Sequence, residues 1–108
     1  MDDEQLPISA GELLLRIADE VSLFSDEDLA TWSVVKVVVP TSVEHRPATT
    51  LAYATHSFVV ARAGMETIYF DDEEDEFGRA RLEDGALKDR GLIGDLADCV
   101  RHLRNSLP

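Results

Sequence analysis

Leu51 to Leu82 reads LAYATHSFVVARAGMETIYFDDEEDEFGRARL. Ser57–Arg62 and Met65–Phe70 are rich in β-branched and aromatic residues and flank Gly64, the pattern of a β-hairpin. A two-residue turn at Ala63-Gly64 would set Val59 opposite Ile68 and Phe58 opposite Tyr69. Cross-strand pairs of that kind contribute roughly 0.2–1 kcal/mol each. The second strand runs directly into six consecutive carboxylates: Asp71, Asp72, Glu73, Glu74, Asp75 and Glu76. A third strand follows over Phe77–Leu82, with Phe77, Arg79 and Arg81 on one face, and the two arginines are expected to answer the acidic run.

On the N-terminal side of the hairpin, Ser9 and Glu12 form a Ser-x-x-Glu capping box, with Ile8 and Leu13 at the staple positions. Leu13, Leu14, Ile17, Val21 and Phe24 recur at three- and four-residue spacing, which predicts a helix over Ala10–Leu23. Ser25 stands three residues before Asp28 and suggests a single helical turn or a tight loop over Ser25–Ala30. Trp32–Val39 reads as a strand with valines on both faces, stopped by Pro40. Thr41–Thr49, containing Pro47, reads as a connecting loop.

On the C-terminal side, Asp84-Gly85 is a turn, and Gly91 and Gly94 loosen the approach to a last helix over Ile93–Ser106. Ile93, Leu96, Val100, Leu103 and Leu107 form its apolar stripe. Asp95 and Asp98 lie early in it and Arg101, His102 and Arg104 late, which suits the helix dipole. The expected fold is therefore α+β: a two-layer sandwich of an antiparallel sheet of about four strands with N- and C-terminal helices, in the order α-β-β-β-β-α. Both helices would cover one sheet face. Valine on both sides of the first strand then requires that the sheet curl strongly or that its second face pack on something else, such as a second copy.

At 108 residues, 44 % of them hydrophobic, the chain has the length of one domain with its own core, 1–108, and Met1–Leu6 is read as a flexible acidic tail. Twenty-two acidic residues against 10 basic ones give a formal charge of −12. Nucleic acid and anionic membrane are disfavoured as ligands, because their phosphates would be repelled. A basic protein surface is favoured. Cys99 is the sole cysteine, so no intrachain disulfide argues for an oxidising compartment. MDDEQLP is acidic where a secretory signal is basic and then apolar, and the cytoplasm is the expected location.

The acidic run fits a calcium loop poorly, since Glu76 stands at the sixth position, where glycine is required. Like-charge repulsion favours an extended, solvated run, or a docking element for a basic partner. Cys99 and His102, three apart on one helix, are too few to hold a metal, and His45 and His56 are not at motif spacing. The sequence contains no nucleophile elbow, zinc-protease helix, phosphate loop or dinucleotide fingerprint. No cofactor and no catalytic residue is therefore expected. Trp32 and Tyr69 are the large amphipathic side chains suited either to the core or to anchoring a partner.

The expectation from these residues is a small acidic protein-binding module without enzymatic activity. It would act as an inhibitor or immunity-type protein that occludes a basic surface, for instance a nuclease or nucleic-acid-binding groove. Asp71–Glu76, Trp32 and Tyr69 are the candidate partner-binding residues. The alternatives are a homodimeric structural or accessory subunit, motivated by the surplus valines, and a metal-dependent enzyme using the acidic run with His56 or His102.

Overall fold

The computed structural model describes residues 8–46, 55–72 and 74–107; the side chains of 42–46 and 55–56 lie outside that description, as does the proposed tail. Helix α1 spans Ala10–Val21 and α2 Asp26–Val35. Strands β1 (Lys36–Arg46), β2 (Thr55–Ala63), β3 (Glu66–Asp71), β4 (Glu76–Glu83) and β5 (Ala86–Gly94) follow, and α3 (Leu96–Arg104) closes the chain. The five strands form one antiparallel sheet in chain order. The α+β class, the antiparallel sheet and a helix at either end are thus as read from the sequence. The structure adds a ten-residue helix and a fifth strand.

The capping box forms. The Glu12 N–H donates to Ser9 Oγ at 3.1 Å, and the Ser9 N–H donates to Glu12 Oε1 at 2.9 Å. Leu13, Ile17 and Phe24 are buried and Val21 and Ile8 pack against the same core, as the stripe requires. Leu14, expected in that stripe, lies about 100° round the helix from Leu13 and is 43 % exposed.

The second helix corrects the reading of Trp32–Val39 as a strand. Its inward positions are Asp28, Thr31, Trp32 and Val35, all buried, a 3-1-3 spacing proper to a helix. Two of the four are polar, so no hydrophobic periodicity announced it. Asp28 and Thr31 can be buried because α3 supplies their partners. Arg104 bonds Asp28 with one nitrogen and donates from Nε to Thr31 Oγ1 at 2.9 Å, while Arg101 reaches Asp28 at 3.1 Å. Burial pushes the Asp28 carboxyl up, but hydrogen bonds from Arg104 and Arg101 more than offset it and hold it below the usual range. Trp32 sits edge-to-face with Phe24, ring centroids 6.3 Å apart.

The central hairpin is present one residue off the expected register. Ala63 pairs with Glu66, so the turn is Gly64-Met65, with Gly64 at φ +66° in the first turn position, the place a type II′ turn reserves for glycine. Phe58 faces Phe70 and Val59 faces Tyr69, in place of the expected Phe58–Tyr69 and Val59–Ile68 pairs. A bulge between Val59 and Ala61 then turns both Val60 and Ala61 toward the helices. That is why Phe58-Val59-Val60-Ala61 is apolar without alternation.

All three helices pack on one face of the sheet. Leu13, Ile17, Trp32, Leu96, Cys99, Val100 and Leu103 meet Phe58, Val60, Ile68, Phe70 and Phe77 there. The opposite face has its own smaller core of Val59, Tyr69, Ala80 and Leu87, with Val37 and Leu82 against it. Those residues come from all five strands. β1 and β5, the outermost strands of the sheet, approach each other, so the sheet curls around its second face. Curling is what places apolar residues on both sides of the strands. Gly78 permits it: a Cβ there would lie 2.5 Å from the Gly91 carbonyl and 3.0 Å from the Tyr69 ring.

Two edge regions also differ from expectation. β1 continues through Pro40 to Arg46, where a loop was expected, but residues 37–40 stand opposite Val60 alone. This long bulge tolerates a proline that a regular ladder would exclude. Gly91 and Gly94 belong to β5, whose Lys88, Asp89 and Arg90 are exposed on the sheet's outer edge, as charged residues commonly are on edge strands. The Asp84-Gly85 turn is as expected, with both residues at positive φ.

Candidate functional site

The acidic run is a hairpin loop of defined shape rather than an extended coil. Asp71 ends β3, Glu76 begins β4, and the two are paired. Asp71 closes the loop from both of its oxygens: its carbonyl accepts from the Asp75 N–H at 2.7 Å and its carboxylate accepts from the Glu74 N–H at 3.0 Å. This local side-chain bond is the turn-forming habit of aspartate. Asp75 takes the left-handed conformation, φ +58°, which aspartate tolerates better than most residues.

The loop is fastened to α1 at two points. Asp72 Oδ2 accepts from the Ile8 N–H at 2.9 Å, just ahead of the helix. Arg16 donates to Asp75 Oδ1 at 2.7 Å and to its carbonyl at 3.3 Å. The expected partners, Arg79 and Arg81, do not reach the run. They stand opposite Ile68 and Glu66, three and five residues beyond Glu76, and at about 3.3 Å per residue that is some 10–17 Å along the strand. Arg79 bonds Glu66 at 2.7 Å, and Arg81 pairs with Glu83 at 2.5 Å and Asp89 at 3.6 Å.

α1 and the loop together present an acidic end of the molecule. Glu12, Asp19, Glu74, Asp75 and Glu76 are exposed there, and Arg16 is the one cation among the described residues of these two elements. Glu12 is held below the usual carboxylate range by the backbone N–H of Ser9 and, after it, the Ser9 hydroxyl. Glu20 accepts from the Leu96 N–H at 3.1 Å, at the positive end of α3, with exposed Asp95 beside it. Elsewhere charges balance. A hollow of about 370 Å³ beside α3 is lined by Glu66, Arg79, Arg81, Asp89 and His102, but both arginines already hold carboxylates of their own.

Of the candidate residues, Asp71, Asp72, Glu74, Asp75 and Glu76 come together at this end; Glu73 lies outside the described residues. Trp32 and Tyr69 do not join them. Trp32 is in the helix-side core and Tyr69 in the core of the opposite sheet face. Burial, then the nearby Asp71 charge, pushes the Tyr69 hydroxyl up to about 12. Cys99 is fully buried and its thiol is likewise pushed to about 12, whereas His102 is exposed. The described residues include no group of three His, Cys, Asp or Glu placed to hold a metal ion.

Arg16, which joins the helix to the acidic loop, was missed in sequence. The available signal was a single base among nine acids in residues 1–31. None of the described helices is long and apolar enough to cross a membrane. Comparison of the chain with protein-family models, with curated proteins and with solved structures finds no match.

Proposed function

We propose that this protein is a small acidic binding module that occludes a basic protein surface, in the manner of an inhibitor or immunity-type protein, and works by binding rather than by catalysis. The supporting observation is the fastening of the acidic hairpin loop to α1, which leaves Glu74, Asp75 and Glu76 exposed beside Glu12 and Asp19. Carboxylates carried on a backbone that is already fixed cost little backbone freedom on docking. They can take the place of phosphates in a cationic groove and accelerate encounter with it at low salt.

The test is affinity capture from the source lysate at low and high ionic strength, followed by association kinetics with whatever basic partner is recovered. Glu74→Gln with Glu76→Gln should leave the melting temperature unchanged and slow association several-fold at low salt. The effect should fade as screening shortens to about 8 Å at physiological strength. Recovery of no basic partner, or unchanged kinetics at low salt, would remove the proposal.

A second reading, a homodimeric accessory subunit, is favoured by one observation. Val38 and Val39, consecutive in the β1 bulge, are 91 and 57 % exposed, and adjoining exposed apolar residues mark association surfaces. Light scattering at micromolar and sub-micromolar concentration tests it. A monomer at both concentrations excludes it.

A further inference from the structure

α1 is amphipathic toward the core, yet its outward side is not uniformly polar. Leu14 and Leu15 are 43 and 71 % exposed, and Gly11, Ala18 and Ser22 are exposed with them. At 100° per residue these five positions fall within one outward strip. Glu12 and Asp19 follow along one long side of that strip. Arg16 comes next around the helix and leads to Asp75 and the acidic loop. The surface therefore has an order: an apolar strip, then a row of carboxylates, then the loop.

We infer that this outward strip of α1 is the apolar centre of the docking face, and that it receives an amphipathic basic helix from the partner protein. The inference rests on the acidic-module reading above and names the partner's chemistry. Apolar side chains of the incoming helix cover Leu14, Leu15 and Ala18, and Lys or Arg on its adjacent side meet Glu12, Asp19 and the loop. The charge pattern selects this occupant. A second copy of the chain would bring the same one-sided acidic rim to the contact, and an anionic lipid surface would be repelled by it. The exposed valines of β1 have Lys36 next to them in sequence rather than carboxylates. α1, at 12 residues, offers roughly 18 Å of contact, about three turns of a partner helix.

The test uses two labelled synthetic peptides of about 16 residues, long enough to hold three turns against α1. One has leucines at three- and four-residue spacing with lysines beside them. The other has the same composition, scrambled to destroy the stripe. The whole chain should bind the striped peptide about tenfold tighter than the scrambled one, from the apolar area covered. Leu15→Gln alone should reduce that ratio, and Leu14→Gln with Leu15→Gln should bring it close to one, with salt-sensitive binding of both peptides retained. Val38→Ser should leave the ratio unchanged. Circular dichroism melts confirm that each variant is folded, and the single substitution at the more exposed leucine keeps the test usable if the double one unfolds. Equal binding of the two peptides overturns the inference and leaves the acidic module standing. Loss of the preference in Val38→Ser but not in Leu15→Gln moves the apolar contact to β1 and overturns it. Self-association abolished by the leucine changes overturns it in favour of a second copy. No binding of either peptide at low salt removes the acidic module itself.

Discussion

Arg16 and Asp75, 59 residues apart in sequence, meet with 2.7 Å between Nη1 and Oδ1. The same guanidinium lies 5.4 Å from the centroid of the Phe70 ring and 5.7 Å from that of Phe77, the aromatic pair at the base of the acidic hairpin. One side chain thus joins the first helix, the hairpin's aromatic base and its acidic tip. Among the described residues it is also the one cation within the proposed docking face.

Arg16→Gln should therefore act in two opposite directions. Stability should fall by about 1 kcal/mol, the sum of a solvent-exposed ion pair and partly exposed cation–π contacts. Association with a basic partner should become faster at low salt, because the acidic end gains one net negative charge. Denaturant titration and stopped-flow mixing measure the two effects separately.

Asp71→Ala should cost about 1 kcal/mol, comparable to the loss of a helix N-cap, because the Glu74 N–H loses its side-chain acceptor. Asp71→Asn retains an acceptor oxygen in the same place and should recover most of that loss. Urea unfolding of both variants against the parent decides it. Equal losses in the two would show that the charge, rather than the turn, is what matters at this position.

Asp28→Asn should lower stability by about 2 kcal/mol at neutral pH, since the buried carboxylate, 1 % exposed, is the shared acceptor of Arg101 and Arg104. The folded-state pKa is depressed, so the contribution of the charge is present above the ordinary value of 3.8. It is lost as pH falls below that value and through the folded-state pKa. Thermal melts of parent and variant should converge over that acidic range.

Gly78→Ala should cost about 2 kcal/mol, within the range for overpacking, because its Cβ would meet the Gly91 carbonyl at 2.5 Å. Gly91→Ala on the neighbouring strand is the control: nothing lies within 4 Å of its Cβ, and it should change stability by no more than about 0.5 kcal/mol. Denaturant midpoints of the pair report whether Gly78 is required for the close approach of β4 and β5.

Cys99, fully buried and with its thiol raised to about 12, should resist a thiol reagent at pH 8 in the native state, because the thiolate is the reacting form. Labelling should appear only with unfolding, at a rate that follows denaturant concentration. Prompt labelling without denaturant would show that α3 opens locally.

The features legible in sequence are those whose causes are local. Ser9 and Glu12 satisfy each other's backbone within one turn, so α1 and its start are readable. Asp84-Gly85 meets the positive-φ demand of its turn by residue type alone. The α+β class follows from two periodicities in one chain. What only the tertiary structure decided depends on partners distant in sequence. α2 is helical because Arg101 and Arg104, 73 and 76 residues away, make burial of Asp28 and Thr31 tolerable; without them, its valines and Trp32 read as strand. The hairpin register depends on which residue takes the positive φ at the turn and on the bulge at Val60. The acidic run is readable as charge, but its shape is set by Asp71 bonding across the loop and by Arg16 arriving from α1. Arg79 and Arg81, nearer in sequence, are carried away along β4 by the rise of the strand.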